Sequence, residues 1–259
     1  MAANVLDTVM LFGDSITQGS WDLNGIGARL SFVYARKLDV LNRGLSGYNT
    51  EWAIPVFEQL LQVFAKKEEQ PYVPAVRLLT IWFGANDSVL PSERQHVPLA
   101  QFIANLKHLI TMVKSPSSEY YSPKTRILLI SPPPVNTYQR SAELVSRDPP
   151  RNCDREFGFT KLYAEAVVKT AQEEGAAVVD VWTVLWEAAG KDERALSAYL
   201  LDGLHLNAKG YELAYNAINE SIEQSYPEIH HQNLQYAIPR HDELDPSNIR
   251  ESVRARRLV

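Results

Sequence analysis

Four short runs of the chain carry residue types that could perform acyl transfer. Gly13-Asp14-Ser15-Ile16-Thr17 offers a serine hydroxyl, a nucleophile once a neighbouring base takes its proton. Asp202-Gly203-Leu204-His205 offers that base. Three-residue spacing around a turn can set the carboxylate against one imidazole nitrogen, which fixes the tautomer and leaves the other nitrogen free. Gly84-Ala85-Asn86-Asp87 offers a carboxamide that can donate to a developing oxyanion. Asn42-Arg43-Gly44 ends in a glycine whose backbone N–H can approach a ligand with no Cβ in the way. Taken alone, each run reads first as a turn, a helix cap or a surface pair. Together they supply a nucleophile, a base, an orienting acid and two side donors.

These residues are far apart in sequence, so a scaffold must gather them. The apolar pattern predicts strands at residues 9–12, 39–42, 77–83, 125–131 and 177–181. Helices are expected at 29–38, from an Asn49 cap to about 64, after Pro98 over 99–113, at 160–173, and at 208–224 behind an Asn207 cap. The stretch from Pro132-Pro133-Pro134 to about Phe157 reads as irregular. Strands apolar on both faces, alternating with amphipathic helices, predict a parallel sheet covered on each side. Right-handed crossovers follow from the strand twist, and the expected strand order is 2-1-3-4-5. In such a sheet ligands sit outside the carboxyl ends of the strands, where the four runs are expected to meet. From Pro227 onward periodicity fades and charges multiply, so residues 1–226 are expected to form the domain and 227–259 an extended arm or tail. That arm could dock on its own subunit or join a homo-oligomer.

The 259 residues are 45% hydrophobic, enough for a sizeable core, and carry 26 Lys+Arg against 31 Asp+Glu, a net charge of −5. That balance argues against nucleic acid or an anionic membrane surface as the main partner. No apolar stretch is long enough for a membrane span. Cys153 stands alone, so neither an intrachain disulfide nor a cysteine-based zinc site is expected. The first basic residue is Arg29, which leaves no positive start for a signal peptide. The expected location is the reducing cytoplasm. Asn86-Asp87-Ser88 forms a glycosylation sequon, but the chemistry above needs the Asn86 side chain free. His230 and His231 lack a carboxylate at metal spacing, so no metal is expected.

Gly13-Asp14-Ser15, Gly44, Gly84-x-Asn86-Asp87 and Asp202-x-x-His205 resemble, in order, the four blocks of the SGNH (GDSL) hydrolase superfamily. The flanking runs Phe12–Gln18, Asn42–Thr50, Phe83–Asp87, Gln95–Leu99 and Asp202–Leu206 resemble the isoamyl acetate-hydrolysing esterases. The resemblance implies a flavodoxin-like three-layer α/β/α fold and cofactor-free hydrolysis of short-chain acyl esters. It implies catalytic roles for Ser15, Asp202 and His205. It further implies an oxyanion hole made by the Ser15 and Gly44 amides and the Asn86 side chain. Trp21 and Tyr138 fall in loops at the expected ligand edge and are candidates to wall the pocket. A carbohydrate or phospholipid deacetylase of the same superfamily fits the blocks equally, because substrate choice lies in the loops at 88–98 and 132–154. A flavodoxin-like phosphate or flavin module, using 13–19 as a phosphate cradle, would leave Asn86, Asp202 and His205 without purpose.

Overall fold

The structure is a computed structural model that describes residues 6–65 and 74–254. Five parallel strands form one sheet: β1 (Thr8–Gly13), β2 (Asp39–Gly44), β3 (Val76–Trp82), β4 (Arg126–Ile130) and β5 (Ala177–Val179). Their spatial order is β2-β1-β3-β4-β5, the order expected. The helices are α1 (Ser15–Gln18), α2 (Ile26–Val33), α3 (Thr50–Ala65), α4 (Leu99–Lys114), α5 (Thr137–Val145), α6 (Phe157–Glu174), α7 (Val181–Ala188), α8 (Ala208–Ser225) and α9 (Ile249–Ser252).

Side-chain alternation along β1 explains why its sequence is a continuous apolar run. Val9 and Leu11 enter a core with Leu30 of α2, Leu185 of α7 and Ile218 of α8. Met10 and Phe12 enter the opposite core with Phe57 of α3, Leu106 of α4 and Val167 of α6. Every residue of β1 is buried. With helices on both faces, such a strand has no polar side to show. The chain leaves β1 toward β2 and then crosses back to β3, which puts a topological switch at the carboxyl end of β1.

Several elements depart from the sequence reading, each for a local reason. The helix expected at 29–38 runs instead over Ile26–Val33, and Arg36 takes a positive φ of 63° that no helix continues through. Arg36 is held there by the C-terminal segment: its carbonyl accepts from Ala237 N–H at 2.8 Å and its guanidinium donates to Ile238 O at 2.8 Å. The stretch expected to be irregular holds α5, capped by Asn136, whose side chain accepts from Gln139 N–H at 3.0 Å. The fifth strand stops at Val179 rather than 181, because Asp180 caps α7 by accepting from Thr183 N–H at 3.2 Å. The last large helix starts at Ala208 behind the expected cap, Asn207, which accepts from Lys209 and Gly210.

Beyond Pro227 the chain lies against α2 and its exit. Tyr34 Oη donates to Ile229 O at 2.9 Å, and Arg36 stacks 4.8 Å over the Tyr236 ring. The last part of the predicted arm, 255–259, lies outside the described residues. No helix among the described residues is long and apolar enough to cross a membrane.

Candidate active site

Ser15 is the first residue of α1, set directly on the end of β1. Asp14 caps this one-turn helix by accepting from Ile16 N–H at 2.9 Å. The turn is too tight for any side chain at 13, since a Cβ there would stand 2.1 Å from Thr17 Oγ1 and 2.5 Å from Trp82 O. The first amides of a helix have no partner within it, so Ser15 N–H is not paired by α1 itself.

The Asp202–His205 turn is built from the opposite end of the chain. Leu200 and Leu206 form an antiparallel bridge, and Leu201 N–H donates to His205 O at 2.8 Å. Gly203 takes a positive φ of 86°, and a Cβ there would lie 2.5 Å from both Asn136 O and Arg140 N, so the turn packs directly on the start of α5. Asp202 Oδ1 accepts the amides of Leu204 and His205 at 3.0 and 2.8 Å. Its Oδ2 lies 2.9 Å from His205 Nδ1. The other ring nitrogen, Nε2, lies 2.9 Å from Ser15 Oγ. Residues 190 apart in sequence thus meet in a continuous Ser15–His205–Asp202 line. Burial opposes the Asp202 charge, but the hydrogen bonds from His205 and Leu204 hold its carboxyl well below the usual carboxylate range. Asp202 therefore stays ionised, with His205 Nδ1 as a donor and Nε2 left to accept from the hydroxyl.

Asn86 lies just past β3, and its orientation is fixed on both sides. Oδ1 accepts from Gln95 Nε2 at 3.2 Å and from Arg155 Nη2 at 3.3 Å. Nδ2 donates to Tyr48 O at 2.9 Å, which uses one of its two hydrogens. Next to it, buried Asp87 accepts from Thr50 N–H and Oγ1 at 2.8 and 2.5 Å, tying this loop to the start of α3.

Gly44 ends β2 under α1. A Cβ there would stand 2.0 Å from Gln18 N, so glycine is required by this close approach as well as by any role of its amide. Its N–H donates to Asn42 Oδ1 at 2.9 Å. Trp21 and Tyr138 are each half-exposed. Trp21 closes the short turn after α1, and Tyr138 lies in the first turn of α5 with the Arg194 guanidinium 3.6 Å over its ring.

Sequence reasoning missed Arg140, Asp154 and Arg155. Arg140 reaches Asp202 Oδ2 at 3.2 Å, and Arg155 reaches Asn86. Burial opposes the Asp154 charge, but Arg140 and Arg155 hold its carboxyl down at about 2. Among the described residues no group of three or more His, Cys, Asp or Glu side chains could hold a metal ion.

The profile of the GDSL-like Lipase/Acylhydrolase family matches residues 11–213, which include all four runs. The chain belongs to that family. As an acylhydrolase of the GDSL family it is a carboxylic ester hydrolase. It is 39% identical over 218 residues to the isoamyl acetate-hydrolyzing esterase 1 homolog of Bos taurus, covering 83% of this chain and 81% of that protein. It is 32% identical over 243 residues to a GDSL esterase/lipase of Arabidopsis thaliana, covering 93% of this chain and 95% of that one. Among solved structures, a lipase/acylhydrolase from Enterococcus faecalis superposes with a TM-score of 0.58 at 23% identity, covering 89% of this chain and 98% of that one. An acetylxylan esterase from Geobacillus stearothermophilus does so with a TM-score of 0.59 at 21% identity, covering 86% and 96%. Those two likenesses establish the fold.

Proposed function

We propose that this GDSL hydrolase cleaves short-chain acyl esters through a covalent acyl-enzyme on Ser15. The observation that carries the proposal is the pair of 2.9 Å contacts joining Ser15 Oγ to His205 Nε2 and His205 Nδ1 to Asp202 Oδ2. Ser15 Oγ attacks the ester carbonyl carbon while His205 Nε2 takes the hydroxyl proton. Asp202 holds the imidazolium that forms. The carbonyl oxygen becomes an oxyanion, met by Ser15 N–H and the second Nδ2 hydrogen of Asn86. Gly44 N–H contributes by sharing its hydrogen with Asn42 Oδ1. His205 then protonates the departing alcohol oxygen as the carbon–oxygen bond breaks. Water, deprotonated at the same nitrogen, adds to the acyl carbon; His205 then returns that proton to Ser15 Oγ as the carbon–Oγ bond breaks, which frees the acid and restores the Ser15 hydroxyl.

The acetate-like preference rests on the 39% identity to proteins named for isoamyl acetate hydrolysis. Trp21 and Tyr138, both half-exposed, are proposed walls for the acyl or alcohol group. A fluorophosphonate tests the mechanism. Wild-type protein is expected to be labelled once per chain at Ser15, with loss of esterase activity. Unchanged activity in Ser15→Ala, or labelling elsewhere, would end the proposal. A panel of acetate to octanoate esters tests the substrate, and a rate that rises steadily toward octanoate would overturn the short-chain reading.

A further inference from the structure

A buried chain of charges runs from one side of the site to the other. Arg140, on α5, donates Nη1 to Asp202 Oδ2 at 3.2 Å. It turns Nε and Nη2 to the two oxygens of Asp154, at 3.2 and 3.1 Å. Arg155 meets the same carboxylate from the other side, with Nη1 2.6 Å from Asp154 Oδ2. Arg155 then donates Nε to Ala85 O at 3.1 Å and Nη2 to Asn86 Oδ1 at 3.3 Å. The side chains of Arg140, Asp154 and Arg155 are 6%, 5% and 2% exposed.

We infer that Arg140, Asp154 and Arg155 are positioning residues that hold the Asp202 carboxylate and the Asn86 carboxamide in register with one another. The inference rests on the catalytic reading above. Burying three charges costs more than packing apolar groups of the same size, so stability alone is a weak reason to keep them. Both ends of the chain terminate on groups of the proposed machinery. The geometry also states what each end would do. An Asn side chain presents either oxygen or nitrogen to the substrate, and only nitrogen stabilises an oxyanion. Arg155 and Gln95 together bind Oδ1 and so aim Nδ2 outward. At the other end, Asp202 Oδ2 is shared by His205 and Arg140, which fixes the plane of the carboxylate against the imidazole. A planar guanidinium makes several fixed hydrogen bonds at once, whereas a lysine ammonium keeps the charge without the fork. Arg→Lys therefore separates positioning from mere charge balance.

The test is a pair of double-mutant cycles, read as turnover per site titrated with a fluorophosphonate. Arg155→Lys is expected to lower kcat about 10- to 100-fold with little change in KM. In an Asn86→Ala background the same change is expected to cost less than about 3-fold, because the group it acts through is gone. Arg140→Lys is expected to behave likewise against Asp202→Asn. The same factor lost with and without the partner residue, at either end, would overturn the inference. So would full kcat in a folded Arg155→Lys or Arg140→Lys protein. Thermal melts report folding, and each end supplies its own cycle, so a variant that fails to fold leaves the other to decide. Wild-type turnover in Asn86→Ala or Asp202→Asn alone would instead sink the catalytic reading and this inference with it.

Discussion

The two sides of the site are built by different means. Ser15 is held by its own neighbourhood: a fully buried strand ends, a one-turn helix begins, and Asp14 caps it from the adjacent position. His205 is held from afar. Its turn leans on the start of α5 through Gly203, and its carboxylate partner is gripped by Arg140, 62 residues away. On the proposed reading, the difference teaches that the nucleophile is placed by backbone geometry, which is rigid, whereas the base needs a side-chain orienter and that orienter needs support of its own. Loss of Ser15 should remove the proposed chemistry outright, whereas loss of the groups that support His205, Asp202 and then Arg140, should degrade it in steps.

Ser15→Ala gives the largest expected loss, about 10⁵- to 10⁶-fold in kcat with the fold retained. Asp202→Asn should cost roughly 10³- to 10⁴-fold, because the imidazole loses its enforced tautomer. Steady-state kinetics on one acetate ester compares the two directly. An Asp202→Asn protein as active as wild type would erase the distinction between the two sides. Asn86→Ala comes next, at about 10²- to 10³-fold in kcat. Activity near wild type there would reduce Asn86 to a turn residue.

Gly203→Ala and Gly44→Ala sharpen the comparison through stability. Both add a Cβ against backbone: 2.5 Å from Asn136 O and Arg140 N at 203, and 2.0 Å from Gln18 N at 44. Gly203→Ala also forces a residue other than glycine into a φ of 86°. Each is expected to destabilise by about 2–4 kcal/mol, readable as a shift in a denaturation midpoint. Gly44→Ala thus reports packing rather than the loss of one oxyanion donor. An unshifted midpoint in either would mean that the backbone yields where the structure shows no room.

The same asymmetry decided what could be read from the sequence. Residues 9–13 announce a buried strand running into a glycine turn, and the alternation of strands and helices announces a parallel sheet, whose order matches the one expected. Asn207 and Asn49 announce helix starts because a cap is a local signal. The start of α5 was also written locally, as Asn136-x-x-Gln139, but three preceding prolines pointed to a loop. The run from Ala177 to Val181 reads as one strand, and only the Asp180 cap reveals that α7 begins there. Arg36 ends α2 early through contacts with residues 237 and 238, which no local pattern contains. The four chemical runs were readable because each keeps its residues within a few positions. The Arg140–Asp154–Arg155 chain was not, since its partners are set by tertiary packing and share no period.

Asp14 gives the smallest effect and the clearest sign. It is buried beside Ser15, and burial pushes its carboxyl up to about 7 against the partial relief of the Ile16 amide and the neighbouring His205 and Arg155; nearby Asp87 adds to the rise. In the unfolded chain it ionises near 3.8. Between about pH 4 and 7 the folded state therefore binds the extra proton, and stability falls as pH rises through that window. Asp154 and Asp202 act in the opposite sense: their folded carboxyls are depressed, and their contribution is lost as pH drops below about 4. Asp14→Asn keeps the oxygen that accepts from Ile16 N–H and removes the titration. Its thermal midpoint should match wild type near pH 4 and exceed it at pH 8, by a gain of roughly 1–3 kcal/mol. The low-pH loss from Asp154 and Asp202 is common to both proteins and cancels in the difference. A gap that stays constant from pH 4 to 8 would show that Asp14 carries no buried-charge cost, and that the Ser15 side of the site is braced without penalty.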